Sequence, residues 1–204
     1  YIDLPSDYLY EPGSVMKGIT YSAAIDSGKY PYNETFDSGA FHFVEDSKGK
    51  IYRTSNSDLT IYDALGKNHG TVTFDKGFVL SSNIGICELL TKYMDPSIYK
   101  EYLDKFGFLK PVNSPFLNNR GGTIFFNYAS EKLSTGFGQA ISVNALQMVQ
   151  AYSAIFNDGK MVEPFVVDRI ENANGKIVKQ YDTTIAGQPI SEKTSKIGRA
   201  SCRE

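Results

Sequence analysis

A tight turn that opens directly into an apolar helix is the feature that most constrains this chain. Glu11-Pro12-Gly13 forms the turn, and the apolar segment over residues 14–26 begins with Ser14-Val15-Met16-Lys17. A Pro-Gly turn followed by such a segment predicts a helix that starts near residue 14. Residues three apart on a helix share a face, so Lys17 places an amine beside the Ser14 hydroxyl, where it is able to take the hydroxyl proton.

The Ser-x-x-Lys spacing by itself does not identify a site. Residues 47–50 and 97–100 have the same spacing, but the first set lies in a polar turn and the second follows Asp95-Pro96 as an ordinary helix start. Only Ser14 follows a Pro-Gly turn and opens an apolar helix. Two interpretations of Ser14 therefore stay open at this point: an activated nucleophile and a helix cap.

A second polar cluster, Ser81-Ser82-Asn83, lies between two apolar segments. Ser-x-Asn also recurs at Ser142-Val143-Asn144, so the triplet alone fits a plain helix cap. The order of the motifs favours a functional role. Ser-x-x-Lys comes near the start, Ser-x-Asn follows 67 residues later, and Gly136-Phe137-Gly138-Gln139 precedes the strongest helical segment.

Taken together, these segments resemble the transpeptidase domain of class B penicillin-binding proteins. The segments that carry the resemblance, in the order of the family, are Glu11-Pro12-Gly13-Ser14-Val15-Met16-Lys17, Leu80-Ser81-Ser82-Asn83, Lys105-Phe106-Gly107-Phe108, Gly136-Phe137-Gly138-Gln139 and Ala151-Tyr152-Ser153-Ala154-Ile155-Phe156-Asn157-Asp158-Gly159. The resemblance covers residues 1–195, which we interpret as a partial transpeptidase domain.

One family motif is missing from the sequence. The family completes its site with a Lys-Thr-Gly or Lys-Ser-Gly strand well after the Ser-x-Asn triplet, and the 204 residues contain neither tripeptide. The resemblance therefore implies an α+β fold of the penicillin-binding protein and serine β-lactamase type. We expect a helical part with short strands, without the C-terminal part of the central antiparallel sheet.

The last nine residues, 196–204, match nothing in the family. A common sequencing-adapter sequence can encode them, so we expect a foreign tail and exclude it from fold reasoning. The alternative is a natural polar tail.

Composition excludes several classes of function. The net charge of −2 becomes −4 without residues 196–204, with 18 basic against 22 acidic residues, so nothing indicates a nucleic-acid partner. Cys202 belongs to the tail, and Cys87 lies in an apolar stretch as a predicted buried thiol. His42 and His69 have no cysteine or carboxylate cluster at ligand spacing, so we expect neither metal nor cofactor.

The resemblance also assigns roles within the site. Ser14 is the catalytic nucleophile, and Lys17 is its base if burial and a neighbouring positive charge lower the lysine pKa. Ser81 passes a proton between Lys17 and the leaving amine, and Asn83 binds the substrate amide. The Ser14 N–H supplies one oxyanion donor, while the other lies on the absent strand, so we expect these 204 residues alone to be nearly inactive.

The parent protein is expected to be a D,D-transpeptidase that cross-links peptidoglycan stem peptides ending in D-Ala-D-Ala and is acylated by β-lactams. The resemblance implies that the parent protein works together with the cell-wall synthesis machinery. It also implies an N-terminal membrane anchor, with the domain on the extracytoplasmic face of the cell membrane. The sequence itself contains no signal peptide and no run of 18 apolar residues. It leaves open whether this is a division or an elongation member.

Three other functions stay open on the sequence. The first is a carboxypeptidase or serine β-lactamase, which transfers the acyl group to water. The second is a β-lactam sensor without turnover, and the third is an interaction module in which both motifs are helix caps. Retention of Ser14, Lys17, Ser81 and Asn83 together disfavours the sensor, because binding alone does not need a base.

The sequence pattern also predicts local structure. Short strands or loops are expected over residues 30–60, and Asn172-Ala173-Asn174-Gly175 predicts a hairpin turn. The predicted helices cover residues 14–26, 60–65, 73–80, 83–92, 96–106 and a segment capped by Ser142 that stops at Asp158-Gly159.

Overall fold

The computed structural model describes residues 3–117 and 119–201, without the side chains of residues 198–201. The helices in these ranges are α1 (Leu4–Asp7), α2 (Met16–Asp26), α3 (Phe74–Val79), α4 (Asn83–Glu88), α5 (Pro96–Lys105), α6 (Ala129–Ser134), α7 (Ala145–Phe156) and α8 (Glu192–Ser201). Short 3₁₀ turns lie at Gly13–Val15, Ala64–Gly66 and Thr135–Phe137, and a π-helical turn, Leu89–Tyr93, continues α4.

The strands are short and pair in antiparallel fashion. They are β1 (Thr35–Asp37), β2 (Phe41–Glu45), β3 (Ile51–Arg53), β4 (Thr60–Ile61), β5 (Thr71–Thr73), β6 (Thr123–Ile124), β7 (Ile141–Ser142), β8 (Met161–Val162), β9 (Arg169–Glu171), β10 (Ile177–Gln180) and β11 (Ile185–Gly187). Strand β2 is the middle strand of a sheet ordered β3-β2-β4. The other pairs within the described residues are β1 with β5, β6 with β7, β8 with β11 and β9 with β10.

Helix α2 lies at the centre of the fold. It contacts α5, α7, α8 and the 3₁₀ turn Thr135–Phe137, and Met16, Ile19, Ala23 and Ala24 are fully buried. A helix that is apolar on most of its faces is stable only when other elements surround it. The sequence therefore places Lys17, one residue into α2, in the interior of the domain.

Most of the predicted elements are confirmed. Helix α2 starts where the Pro-Gly turn predicts, and the Thr73 hydroxyl caps α3 by accepting a hydrogen bond from the Lys76 N–H at 3.2 Å. Strands β9 and β10 form the predicted hairpin. Cys87 is fully buried, as predicted. Helices and antiparallel strands are mixed without a β-α-β alternation, in agreement with an α+β architecture.

Two local predictions are wrong. Residues 60–65 do not form a helix, because Thr60 and Ile61 are β-branched and pair with β2 before a turn in which Leu65 has a φ of 61°. Ser142 does not cap α7 and instead belongs to β7. Asn144 is the cap, in a reciprocal arrangement: its side chain accepts from the Gln147 N–H at 2.9 Å, and the Gln147 side chain accepts from the Asn144 N–H at 3.1 Å.

The predicted boundary at residue 196 falls inside α8. The helix is anchored before that position, because the Thr194 hydroxyl donates to Asp26 at 2.9 Å and the Ser195 hydroxyl donates to the Ile155 carbonyl at 2.7 Å. Lys196 continues the helix and pairs with Glu192. Residues 202–204 lie outside the described residues, and the foreign origin of 196–204 stays a prediction.

Candidate active site

Ser14 lies on the 3₁₀ turn that leads into α2. Gly13 enters this turn with a φ of 59°, a conformation that glycine adopts without strain. Ser14 is exposed, whereas Lys17, three residues further along, is only 3% exposed. Among the described residues no hydrogen-bond partner holds the Ser14 hydroxyl. The hydroxyl is therefore open to a ligand, while the amine is withdrawn into the protein.

The Gly136-Phe137-Gly138-Gln139 motif supports the Ser14 turn through the backbone. The Gly13 N–H donates to the Gly138 carbonyl at 3.0 Å. A Cβ on Gly138 would lie 2.1 Å from the Gly13 carbonyl oxygen, so only glycine fits there. The Thr20 hydroxyl donates to the Gly136 carbonyl at 2.7 Å and joins the same motif to α2. These contacts explain the small residues that the sequence places in this motif.

Other contacts fix the two ends of the Ser14 turn. The Tyr10 N–H and the Val143 N–H donate to each other's carbonyls, at 2.9 and 3.0 Å. The Glu11 carboxylate accepts from the Ala140 N–H at 2.9 Å. On the other side, the Tyr152 hydroxyl donates to the Val15 carbonyl at 2.5 Å. Segments more than 120 residues away in sequence therefore hold the chain on both sides of Ser14.

Lys17 reaches Ser81 directly. Its Nζ donates to Ser81 Oγ at 3.0 Å and also to the Ser81 carbonyl. Burial lowers the pKa of Lys17 to about 8, because the charged amine loses its hydration. The expected neighbouring positive charge does not contribute in the described residues; Asp63 and then Cys87 instead act to raise this pKa.

Ser81 occupies a backbone conformation that usually belongs to glycine. Its φ is 55°, just after Leu80 at the end of α3. The Ser81 N–H donates to the Phe78 carbonyl and the Ser82 N–H donates to the Gly77 carbonyl, at 2.9 and 2.8 Å, which closes the C-terminus of α3. The Ser81 backbone therefore has a conformation that carries a steric cost for every residue except glycine.

The next residues begin α4. The Ser82 hydroxyl caps this helix by accepting from the Gly85 N–H at 3.0 Å. The Asn83 side-chain amide donates through Nδ2 to the Tyr62 carbonyl at 2.9 Å. Because a carbonyl can only accept, this bond fixes the orientation of the amide and leaves Asn83 Oδ1 as an acceptor.

The Phe36 ring determines how α3 and α4, the helices on either side of the Ser81 turn, pack together. Phe36 of β1 lies against Gly77 of α3 and Gly85 of α4, and a Cβ at either glycine would lie 2.7 or 2.8 Å from the ring. The glycines therefore allow both helices to approach Phe36, and the Ser81 turn between them has a defined position.

The structure brings together three of the four predicted site residues through Ser81 and its turn. Lys17 contacts Ser81, and Asn83 follows two residues later, while Ser14 lies three residues before Lys17 on the same helical segment. Sequence reasoning missed Asp63, whose buried carboxylate binds the turn. No motif indicates Asp63, because its contacts join segments about 20 residues apart.

In residues 3–117 and 119–201 no cluster of histidine, cysteine, aspartate and glutamate side chains has the geometry to hold a metal ion. No helix in the described part of the chain has the length and apolar character needed to cross a membrane.

The strain at Ser81 leads to a stability prediction. Ser81→Gly and Ser81→Ala both remove the hydroxyl, but only glycine adopts a φ of 55° without steric cost. We expect the glycine variant to be more stable than the alanine variant by about 1 kcal/mol. Denaturant unfolding of the two variants measures this difference, and an alanine variant of equal or greater stability would contradict the strain.

Known sequences match nearly the whole of this chain. The sequence model described as "Penicillin binding protein transpeptidase domain" matches residues 3–200. The "Peptidoglycan D,D-transpeptidase FtsI homolog" of Mesostigma viride is 26% identical over 201 residues, which cover 91% of this chain and 31% of the relative. The "Stage V sporulation protein D" of Bacillus subtilis is 29% identical over 201 residues, which cover 95% of this chain and 29% of the relative.

Solved structures show the same fold. Penicillin Binding Protein 2X from Streptococcus thermophilus aligns with a TM-score of 0.83 at 27% identity, over 98% of this chain and 28% of that one. Penicillin-binding protein A from M. tuberculosis, in an imipenem acyl-enzyme complex, aligns with a TM-score of 0.83 at 17% identity, over 98% of this chain and 44% of that one. The chain belongs to the penicillin-binding protein transpeptidase family.

Proposed function

We propose that this chain carries the nucleophile, base and proton relay of a peptidoglycan D,D-transpeptidase. The observation that carries the proposal is the contact of the buried Lys17 amine with Ser81, three residues after the exposed Ser14. This chain covers 31% and 29% of the length of the two sequence relatives described above. One of these relatives is named a peptidoglycan D,D-transpeptidase. The activity of the whole protein is therefore part of the proposal.

Lys17 serves as the base for Ser14. With a pKa of about 8, about 10% of the amine is neutral at pH 7, compared with about 0.03% at the ordinary value of 10.5. The neutral amine accepts the Ser14 proton as the hydroxyl oxygen attacks the carbonyl of the substrate. The Ser14 backbone N–H, at the start of the helical segment, supplies one hydrogen bond to the oxyanion that forms.

Ser81 and Asn83 complete the proton transfer and the binding. The Ser81 hydroxyl, already bonded to Lys17, passes the proton from the lysine to the leaving amine. Because Asn83 Nδ2 donates a hydrogen bond to the Tyr62 carbonyl, Asn83 Oδ1 is the atom that accepts a hydrogen bond from the peptide N–H of a substrate. Ser14 then holds the acyl group as an ester until an acceptor amine attacks it.

The substrate class follows from this chemistry and from the family. A stem peptide ending in D-Ala-D-Ala loses its terminal D-alanine when Ser14 is acylated, and an amine of a neighbouring strand forms the cross-link. β-Lactams occupy the same site and acylate Ser14. In this proposal the full-length protein acts on the extracytoplasmic face of the cell membrane, through an anchor outside this chain and beside the cell-wall synthesis machinery.

A product assay tests the proposed function. The full-length protein is incubated with a stem pentapeptide and a D-amino acid as acceptor amine, and the products are identified by mass. We expect release of D-alanine together with the amine-exchanged peptide. Formation of the hydrolysed tetrapeptide alone would instead identify a carboxypeptidase, and the absence of both products would contradict acyl transfer.

The pKa of Lys17 predicts the pH dependence of acylation. The reactive form is the neutral amine, so the rate rises with pH and reaches half its maximum near pH 8, falling about tenfold per pH unit well below that. Stopped-flow acylation by a fluorescent penicillin between about pH 6 and about pH 9.5 measures this profile. A rate that is flat through pH 8, or that falls as pH rises, would exclude Lys17 as the base.

A further inference from the structure

Asp63 is a buried carboxylate beside the proposed catalytic residues. It lies between β4 and the 3₁₀ turn Ala64–Gly66 and is 6% exposed. Its oxygens accept from the Ser82 hydroxyl at 2.9 and 3.0 Å, from the Asn83 N–H at 2.5 Å and from the Ile84 N–H at 3.1 Å. These donors satisfy the hydrogen-bonding capacity of the buried carboxylate.

These bonds hold the start of α4. Asp63 takes the first two N–H groups of the helix, those of Asn83 and Ile84, and the Ser82 hydroxyl takes that of Gly85. All of these groups would otherwise be unpaired at a helix N-terminus. The strained Ser81 immediately precedes them, so Asp63 holds the turn in the geometry that presents Ser81 to Lys17.

Asp63 also acts on Lys17 through its charge. A nearby anion favours the protonated amine and so opposes the effect of burial on the lysine. The other titratable group that acts on Lys17 is Cys87, whose own pKa burial raises well above its usual value. Cys87 is therefore uncharged at neutral pH, and Asp63 is the group whose charge acts on Lys17.

We propose that Asp63 is a positioning residue, whose carboxylate fixes the turn that carries Ser81 and Asn83 and whose negative charge acts on Lys17. The proposal rests on the proposed acyl transfer at Ser14. It gives Asp63 no contact with the substrate. Its effect on the reaction passes through the geometry of Ser81 and the protonation of Lys17.

Two substitutions separate geometry from charge. Asp63→Asn preserves the size of the side chain and removes the charge, whereas Asp63→Glu preserves the charge and displaces the carboxylate. We expect both variants of the full-length protein to acylate with penicillin about tenfold or more slowly, because the turn shifts. Only Asp63→Asn is expected to move the titration midpoint of Lys17, and the movement is to lower pH because the anion that favours the protonated amine is gone.

The midpoint of Lys17 is measured without relying on acylation of Ser14. Competitive labelling of amines by acetic anhydride across the pH range, read by mass spectrometry at Lys17, gives it directly. Asp58→Asn is the matched control, because Asp58 is exposed and lies in the same segment. We expect this control to keep both the wild-type midpoint and the wild-type acylation rate.

The outcomes separate this inference from the proposed function. A wild-type protein that takes up no penicillin would contradict the acyl transfer, and the midpoint of Lys17 would still decide whether Asp63 acts on it. An unchanged midpoint in Asp63→Asn, or acylation at the wild-type rate in both Asp63 variants, would overturn the role of Asp63. A lower midpoint with slowed acylation in Asp63→Asn, and an unchanged midpoint in Asp63→Glu, supports it.

Discussion

Ser14→Ala is expected to abolish covalent uptake of labelled penicillin by the full-length protein. In the proposed mechanism the hydroxyl oxygen of Ser14 is the atom that forms the ester, and alanine at this position offers none. Loss of the nucleophile in serine acyl-transfer enzymes lowers the rate by a factor on the order of 10⁴ or more. Intact-mass analysis after incubation with penicillin measures the adduct directly.

A second serine of the chain provides the matched control. Ser47 also begins a Ser-x-x-Lys sequence, but it lies in the exposed turn between β2 and β3. Ser47→Ala is expected to take up penicillin like the wild-type protein. Equal labelling of the Ser14→Ala variant would show that another residue is the nucleophile.

Lys17→Arg has the second largest expected effect. Arginine retains the positive charge and can donate to Ser81, but it stays protonated and cannot act as a base at any working pH. We expect acylation to slow by a factor of about 10² to 10⁴, the usual contribution of a general base. Lys50→Arg, at the exposed lysine of the other Ser-x-x-Lys turn, serves as the control.

A folding measurement accompanies the Lys17→Arg test. Circular dichroism of the Lys17→Arg variant establishes that it is folded before its rate is interpreted, because a larger side chain enters a buried position. Near-normal acylation by the folded variant would restrict Lys17 to a structural role.

The local sequence predicted the elements that carry the site. The Pro-Gly turn and the apolar segment after it located α2, and Thr73 located the start of α3. These predictions succeeded because turns and caps depend on interactions among neighbouring residues. The contact between Lys17 and Ser81 spans 64 residues, and only the family resemblance predicted it.

The failures have different physical causes. The prediction that Ser142 caps α7 was wrong although Asn144 and Gln147, spaced three apart in the sequence, match the pattern of a reciprocal cap. The segment 60–65 took its structure from pairing with β2, a tertiary contact that local propensity does not encode. The local sequence does not indicate the role of Asp63 for the same reason, since its partners lie on a turn about 20 residues away.

The central claim is that Ser14, with Lys17 as its base, carries the acyl group. Peptide mapping by tandem mass spectrometry of the full-length protein, quenched during reaction with penicillin, tests it most directly. Trypsin cleaves after Lys17, so the adduct and its position are read from the peptide that ends there. We predict an adduct on Ser14. An adduct confined to another residue, such as Ser6 or Ser81, would contradict the account.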